Sequence, residues 1–174
     1  SIETAYVELR LTGNSGLYDE MTLTEDDSYT NAYEDGADAA KIMYQANTRS
    51  VLIYGLVDGL ECGDIAAANL NGFAIGFTTN MIDDSYTLSF EMVEGRALTL
   101  YDRLTNTSYN IVEGESFNFS VDPSQVGQIA VYNRFFINLN SAAFDYSLTT
   151  NEYGWASYSV DESKIGRASC RERV

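Results

Sequence analysis

The chain has 174 residues, of which 45% are hydrophobic, enough for one ordinary domain with a core, or for one domain and part of another. Ten lysines and arginines against 26 aspartates and glutamates give a net charge of −16, which argues against nucleic acid and anionic membranes as partners because both need a basic surface. The absence of histidine excludes Ser-His-Asp and Cys-His nucleophiles and removes the commonest zinc ligand. No apolar run approaches the roughly 18 residues that a membrane span needs.

Apolar and polar residues alternate with a period of two from the start of the chain, a pattern typical of half-buried strands. It predicts strands at residues 5–11 and 17–24, separated by a turn at residues 13–16. Residues 51–57 are rich in β-branched and aromatic side chains and predict a strand covered on both sides. Only residues 38–44 suggest a helical turn or two.

The second half of the chain continues the strand pattern up to about residue 139. The clearest segment places Tyr86, Leu88, Phe90 and Met92 on one apolar face. Many short strands separated by turn residues, with a single proline, predict an all-β fold. The expected architecture is an antiparallel β-sandwich, jelly-roll-like or immunoglobulin-like, over residues 1–141. The further predicted strands are at residues 73–78, 97–102, 109–111, 116–121 and 135–139.

The last part of the chain differs in character from the rest. Residues 142–164 predict a linker and the start of a truncated second β module, with a hairpin that turns at Asn151. Residues 165–174 resemble the in-frame translation of a common short-read sequencing adapter, so we exclude them from the fold and expect the chain to be a fragment. Without this segment Cys62 is the only cysteine, and an acidic neighbourhood with no histidine predicts a passive thiol there.

Acidic loop residues are the candidates for a metal site. Asp35 and Asp38 lie around a glycine in residues 31–38, and carboxylates in the loops of β-sandwich domains can bind calcium. The segment lacks the spacing of an EF-hand loop, so calcium is a candidate ion without a specific motif. The other acidic clusters, at residues 25–27 and 83–84, indicate a solvated acidic face more than a catalytic carboxylate pair.

Aromatic residues are abundant, with 13 tyrosines and eight phenylalanines. Those inside the predicted strands are assigned to the core. An exposed ring outside the strands could instead stack on the apolar face of a sugar. The four candidates for such stacking are Tyr29, Tyr33, Tyr44 and Tyr101.

The order and spacing of several stretches between residues 5 and 140 are similar to a known family. These stretches are residues 33–42, 52–54, 74–78, 85–89, 98–105, 117–119 and 133–137. Together they resemble the β-sandwich modules near the C-termini of large surface and secreted proteins of Bacteroidota, often exported by type IX secretion. The sequence departs from the family pattern at Glu34-Asp35 and at Ile75.

The resemblance implies a secreted or cell-surface, non-catalytic, structural or adhesive module, and it transfers no functional residue. Expected partners are other domains of the same polypeptide, glycans or cell-envelope components, without nucleic acid and without membrane insertion. The alternative is a carbohydrate-binding module, stabilised by calcium, on a polysaccharide-degrading enzyme. Catalysis within this chain is the least favoured hypothesis because the motifs of the common nucleophiles are missing.

Overall fold

The computed structural model describes residues 3–43, 51–79, 83, 85–121, 130–139, 146–150 and 156–160. Within these residues there is no helix, and hence none that could span a membrane. The strands are, in chain order, β1 (Ala5–Gly13), β2 (Tyr18–Glu25), β3 (Ala39–Ala40), β4 (Val51–Val57), β5 (Leu60–Ala67), β6 (Ala74–Thr79), β7 (Ser85–Gly95), β8 (Thr99–Asp102), β9 (Thr107–Asn110), β10 (Ser116–Ser120), β11 (Ala130–Ile137), β12 (Tyr146–Thr150) and β13 (Ala156–Val160).

Eleven of these strands form one curled, mixed sheet. Its order is β10-β7-β1-β2-β5-β4-β6-β11-β8-β9, and the short β3 also pairs with β5. Among the described strands, neighbours are antiparallel except β2 and β5, which are parallel; β3 and β4 lie between these two in the chain. The all-β prediction is confirmed, and the sheet curls as a half-barrel in place of two clearly separate layers.

Strand β4 explains why the sheet stays continuous. Its first half pairs with β6 at Val51–Tyr54, and its second half pairs with β5 at Gly55–Val57. All seven residues of the strand are buried, as the apolar run in the sequence predicts. One fully covered strand therefore joins the two halves of the sheet, which run from β10 to β5 and from β6 to β9.

Aromatic side chains close the curl by joining its two ends. Phe119 of β10 lies 4.9 Å from Phe135 of β11 and 5.6 Å from Phe77 of β6, measured between ring centroids. Phe117 of β10 stacks on Tyr109 of β9 at 3.8 Å. These contacts hold the first and last strands of the sheet order face to face across the core.

Strand β7 departs from the predicted alternation at its middle. Leu9 pairs with Phe90 and Glu8 with Met92, so Glu91 is an extra residue that forms a β-bulge. Beyond the bulge the faces exchange: Val93 packs on the core, while Met92 is 39% exposed. The assignment of Met92 to the apolar face is therefore wrong, because an inserted residue reverses every later side chain.

The helical turn suggested for residues 38–44 is also wrong over the part that the structure describes. Ala39 and Ala40 form β3, and the Lys41 amide donates a hydrogen bond to the Glu61 carbonyl of β5. Pairing with a neighbouring strand therefore decides the conformation of this segment. Strand β5 itself was not predicted.

The C-terminal hairpin is present as strands β12 and β13, which pair antiparallel from Tyr146 to Val160. Its turn, including Asn151, lies outside the described residues, as do residues 165–174. The division of the chain at residue 141 therefore stays a prediction.

A buried ion pair joins distant parts of the sheet. Glu25, at the end of β2, is 4% exposed and accepts hydrogen bonds from the Arg96 guanidinium and, at 2.7 Å, from the Leu70 amide. Burial acts to raise the pKa of Glu25, but the Arg96 and Leu70 hydrogen bonds outweigh it and leave that pKa below its ordinary value of 4.5. The Asn71 side-chain oxygen accepts a further bond from Arg96, and one from Asn138 after β11.

Replacement of Gly55 by alanine tests the close packing of β4. A Cβ atom there would lie 2.4 Å from Phe73 and 2.8 Å from Ile65, so we expect Gly55→Ala to destabilise the fold by about 1–3 kcal/mol. The matched control is the same substitution in a Phe73→Leu variant, where the ring that the new methyl meets is gone and the added methyl should cost less. Urea denaturation would measure both, and an equal loss in the two backgrounds would contradict this packing.

Replacement of Glu25 by glutamine tests the ion pair. The substitution leaves the Arg96 charge without its carboxylate, so we expect Glu25→Gln to lower the free energy of unfolding by about 2–3 kcal/mol at neutral pH. The loss is smaller than for a fully buried pair because Arg96 is partly exposed. Since the pKa of Glu25 is lowered on folding, its stabilisation is present above pH 4.5 and is lost as the pH falls below that value. The difference between wild type and variant should therefore shrink below pH 4.5 in urea denaturation.

The control for that experiment is Glu20→Gln. Glu20 pairs with Arg10 at 3.3 Å, but both side chains are more than a third exposed, so the expected loss is under about 1 kcal/mol. If the difference in the free energy of unfolding between wild type and Glu25→Gln stays constant across the pH range, it would contradict stabilisation by the charged carboxylate.

Candidate functional site

Four of the six predicted site residues lie in one segment that runs over the sheet. We call residues 26–43 the strap; it follows β2, contains β3 and pairs with β5. Tyr29, Tyr33, Asp35 and Asp38 belong to it. Tyr101 lies in β8, a strand that does not pair with the strap. Tyr44 lies outside the described residues.

Asp38 attaches the strap to the sheet. The residue is 3% exposed, and one carboxylate oxygen accepts a 2.9 Å hydrogen bond from the Ala66 amide of β5. The other oxygen accepts a 2.9 Å bond from the Glu34 amide within the strap. Each carboxylate oxygen of Asp38 thus already accepts a hydrogen bond from a backbone amide.

Further polar contacts fix the first part of the strap. The Tyr33 amide donates to Asp58 at 2.6 Å, in the tight turn between β4 and β5. Asp58 and Gly59 both have positive φ, at 51° and 79°, the conformation of a two-residue hairpin turn. Asn31 accepts a 3.2 Å bond from the Ala68 amide. The strap is therefore attached at several points along its length.

Lys41 attaches the end of the strap beside an open groove. Its ammonium group donates to the Asp19 carboxylate at 2.5 Å and to the Glu20 carbonyl at 2.7 Å, both at the start of β2. The side chain crosses β5 over Gly63, where a Cβ atom would lie 2.6 Å from Lys41 Cε. A groove of about 350 Å³ opens here between β2, the strap and β5; among its lining residues are Leu52, Ile42 and Asp64.

Asp35 and Asp38, the predicted calcium ligands, are neighbours in the fold, and calcium binding by them stays a prediction. Asp35 is exposed, and its backbone bridges to that of Asp38. In the part of the chain that the structure describes, no group of three or more acidic or cysteine side chains could hold a metal ion. Asp38 thus binds the strap to β5 through its hydrogen bonds, whereas the side chain of Asp35 is exposed at the surface.

The predicted stacking tyrosines have different environments. Tyr29 and Tyr33 are half-buried in the strap, and Tyr33 packs against the core. Partial desolvation, with the charge of Asp35 nearby, raises the pKa of Tyr33. Tyr101 is only 2% exposed and its hydroxyl donates to Asn106 at 2.9 Å, so its ring presents no face to a sugar and this assignment is wrong.

Two features of this region have no signal in the sequence. Asp19 and Lys41 are 22 residues apart, and only the folding of the strap onto β5 brings them together. Cys62, in β5, is fully buried, because that strand lies between β4 and β3. A glycine such as Gly63 in the middle of a strand hints at close approach of another group, but it does not say which one.

No protein-family model matches the chain, and no curated protein or solved structure matches it.

Asp38 should matter more than Asp35 for the attachment of the strap. In Asp38→Asn one accepting oxygen becomes an NH2 group that faces a backbone N–H, so we expect a local loss of about 1–3 kcal/mol. Chymotrypsin cleavage after Tyr29 and Tyr33, followed by mass spectrometry, should be faster in this variant. Asp35→Asn, at an exposed side chain, is the matched control and should cleave as wild type does. Equal cleavage of the two variants would contradict the role of Asp38.

Proposed function

We propose that the chain is a non-catalytic structural or adhesive module of a larger secreted or cell-surface bacterial protein. One observation carries the proposal: each acidic or basic side chain that is buried in the described residues is bonded to another part of the same fold. These side chains are Glu25, Asp38, Asp83, Asp102 and Arg134.

The contacts of the remaining three resemble those of Glu25 and Asp38. Asp83 accepts hydrogen bonds from the Ser15 amide at 2.6 Å and from the Ser15 hydroxyl at 2.8 Å. Asp102 of β8 accepts two bonds from Arg134 of β11, at 3.0 and 2.9 Å. Arg134 also donates to the Ser120 carbonyl at 2.7 Å. All of these bonds join segments that are distant in the sequence.

This use of charge fits a structural module better than an enzyme. A general acid or base has to keep a proton or a lone pair directed at its substrate, in a cleft that the substrate can enter. Here the buried carboxylates direct their oxygens at amides, hydroxyls and guanidinium groups of the fold. The buried charges thus stabilise the relative positions of strands and loops.

The second candidate function is carbohydrate binding. The observation in its favour is that Tyr29 and Tyr33 keep part of their rings exposed in the same segment that borders the 350 Å³ groove. Carboxylates with a neighbouring apolar surface, as Asp64 and Ile42 provide here, are typical of sites that bind sugar hydroxyls.

Affinity electrophoresis of the full chain in gels containing soluble polysaccharides separates the two functions. The structural proposal expects wild type and the Tyr29→Ala/Tyr33→Ala variant to migrate alike in every gel, with the same melting temperature in calcium and in a chelator. Retardation of wild type that disappears in the double variant would establish carbohydrate binding instead. A rise of the melting temperature with calcium that Asp35→Asn removes would restore the calcium hypothesis.

A further inference from the structure

Lys41 and Asp19 are held in an arrangement that favours a reaction between them. The Lys41 side chain is 11% exposed and that of Asp19 is 24% exposed, and nitrogen and oxygen are 2.5 Å apart. The amine is fixed on one side by the Glu20 carbonyl and on another by the close approach to Gly63. The carboxylate is fixed by the Ile53 amide, which donates to the same Asp19 oxygen at 2.9 Å. Because folding already places the two groups together, their reaction no longer has the entropy cost of bringing two reactants together.

We propose that Lys41 and Asp19 form an intramolecular isopeptide bond. A proton passes from the ammonium to the carboxylate, and the neutral Nζ attacks Cγ of Asp19. The C–O bond to one carboxyl oxygen breaks, and that oxygen leaves as water with two protons, both from the original ammonium. The products are one amide and one water, so the reaction needs no oxidant, reductant or other reactant.

The surroundings supply what this condensation requires. The Ile53 amide donates to an oxygen on which negative charge grows as the nitrogen attacks, so it stabilises the tetrahedral intermediate. The Lys41 side chain is mostly buried, so little water can reach the attacking nitrogen or compete with it for the Asp19 carboxyl group. The strap holds Lys41 in place through its backbone bond to Glu61.

The bond would have a mechanical consequence. It closes a loop between positions that are 22 residues apart and joins the strap covalently to the start of β2. A crosslink restricts the unfolded chain and keeps the strap attached when its hydrogen bonds open. The inference depends on this geometry alone and not on the proposed function of the module.

The mass of the intact full chain tests the bond directly. We expect wild type to be lighter than its sequence by one water, about 18 Da. Trypsin should fail to cleave after Lys41 and should release residues 11–49 as one peptide with the same deficit. In Lys41→Arg, which keeps the charge but lacks the nucleophile, the full mass should return.

Two results would overturn the proposal. Wild type at its full sequence mass would exclude the bond, whatever the module does. A deficit of one water that persists in Lys41→Arg would place the dehydration elsewhere, for example at Asp35-Gly36 or Asp58-Gly59. Gly63→Ala is a second variant, in which the added methyl displaces Lys41 from Asp19 while both groups remain; the crosslinked fraction should fall.

Discussion

The structure depends on β4, which among the described strands is the one that joins the two halves of the curled sheet, β10 to β5 and β6 to β9. Because its first residues pair with β6 and its last with β5, separating the halves would expose seven buried residues together. The aromatic contacts of β10 with β9, β6 and β11 act at the opposite side of the curl. The core is thus closed on one side by backbone pairing and on the other by aromatic packing.

Ion pairs and charged hydrogen bonds also stabilise the curled sheet, although the chain as a whole is acidic. With a net charge of −16, most carboxylates face water and repel one another, and the few cations have many candidate partners. Arg96 and Arg134 each pair with a buried carboxylate, and each pair joins segments that are distant in the sequence. The strap follows the same rule, with Asp38 and Lys41 at two of its contacts with the sheet.

Local pattern was enough to predict most strands, since alternation follows directly from which side of a strand is covered. It failed where a non-local contact decides the conformation. The bulge at Glu91 reverses the faces of β7, and β5, whose charged and small residues show no clear alternation, pairs with the strap through β3. The tyrosines and aspartates of the strap could be singled out by residue type, but burial of Tyr101 and the use of Asp38 by backbone amides depend on pairings across the fold.

Hydrogen–deuterium exchange, followed peptide by peptide on the full chain, tests most directly whether β4 unites the two halves. If it does, the amides of β1, β2 and β7 and those of β6, β8 and β11 should open together, with one common free energy, and β4 should exchange as slowly as the slowest of them. Exchange of β6, β8 and β11 at a much lower free energy, while β1, β2 and β7 stay protected, would show two independent units and contradict the account.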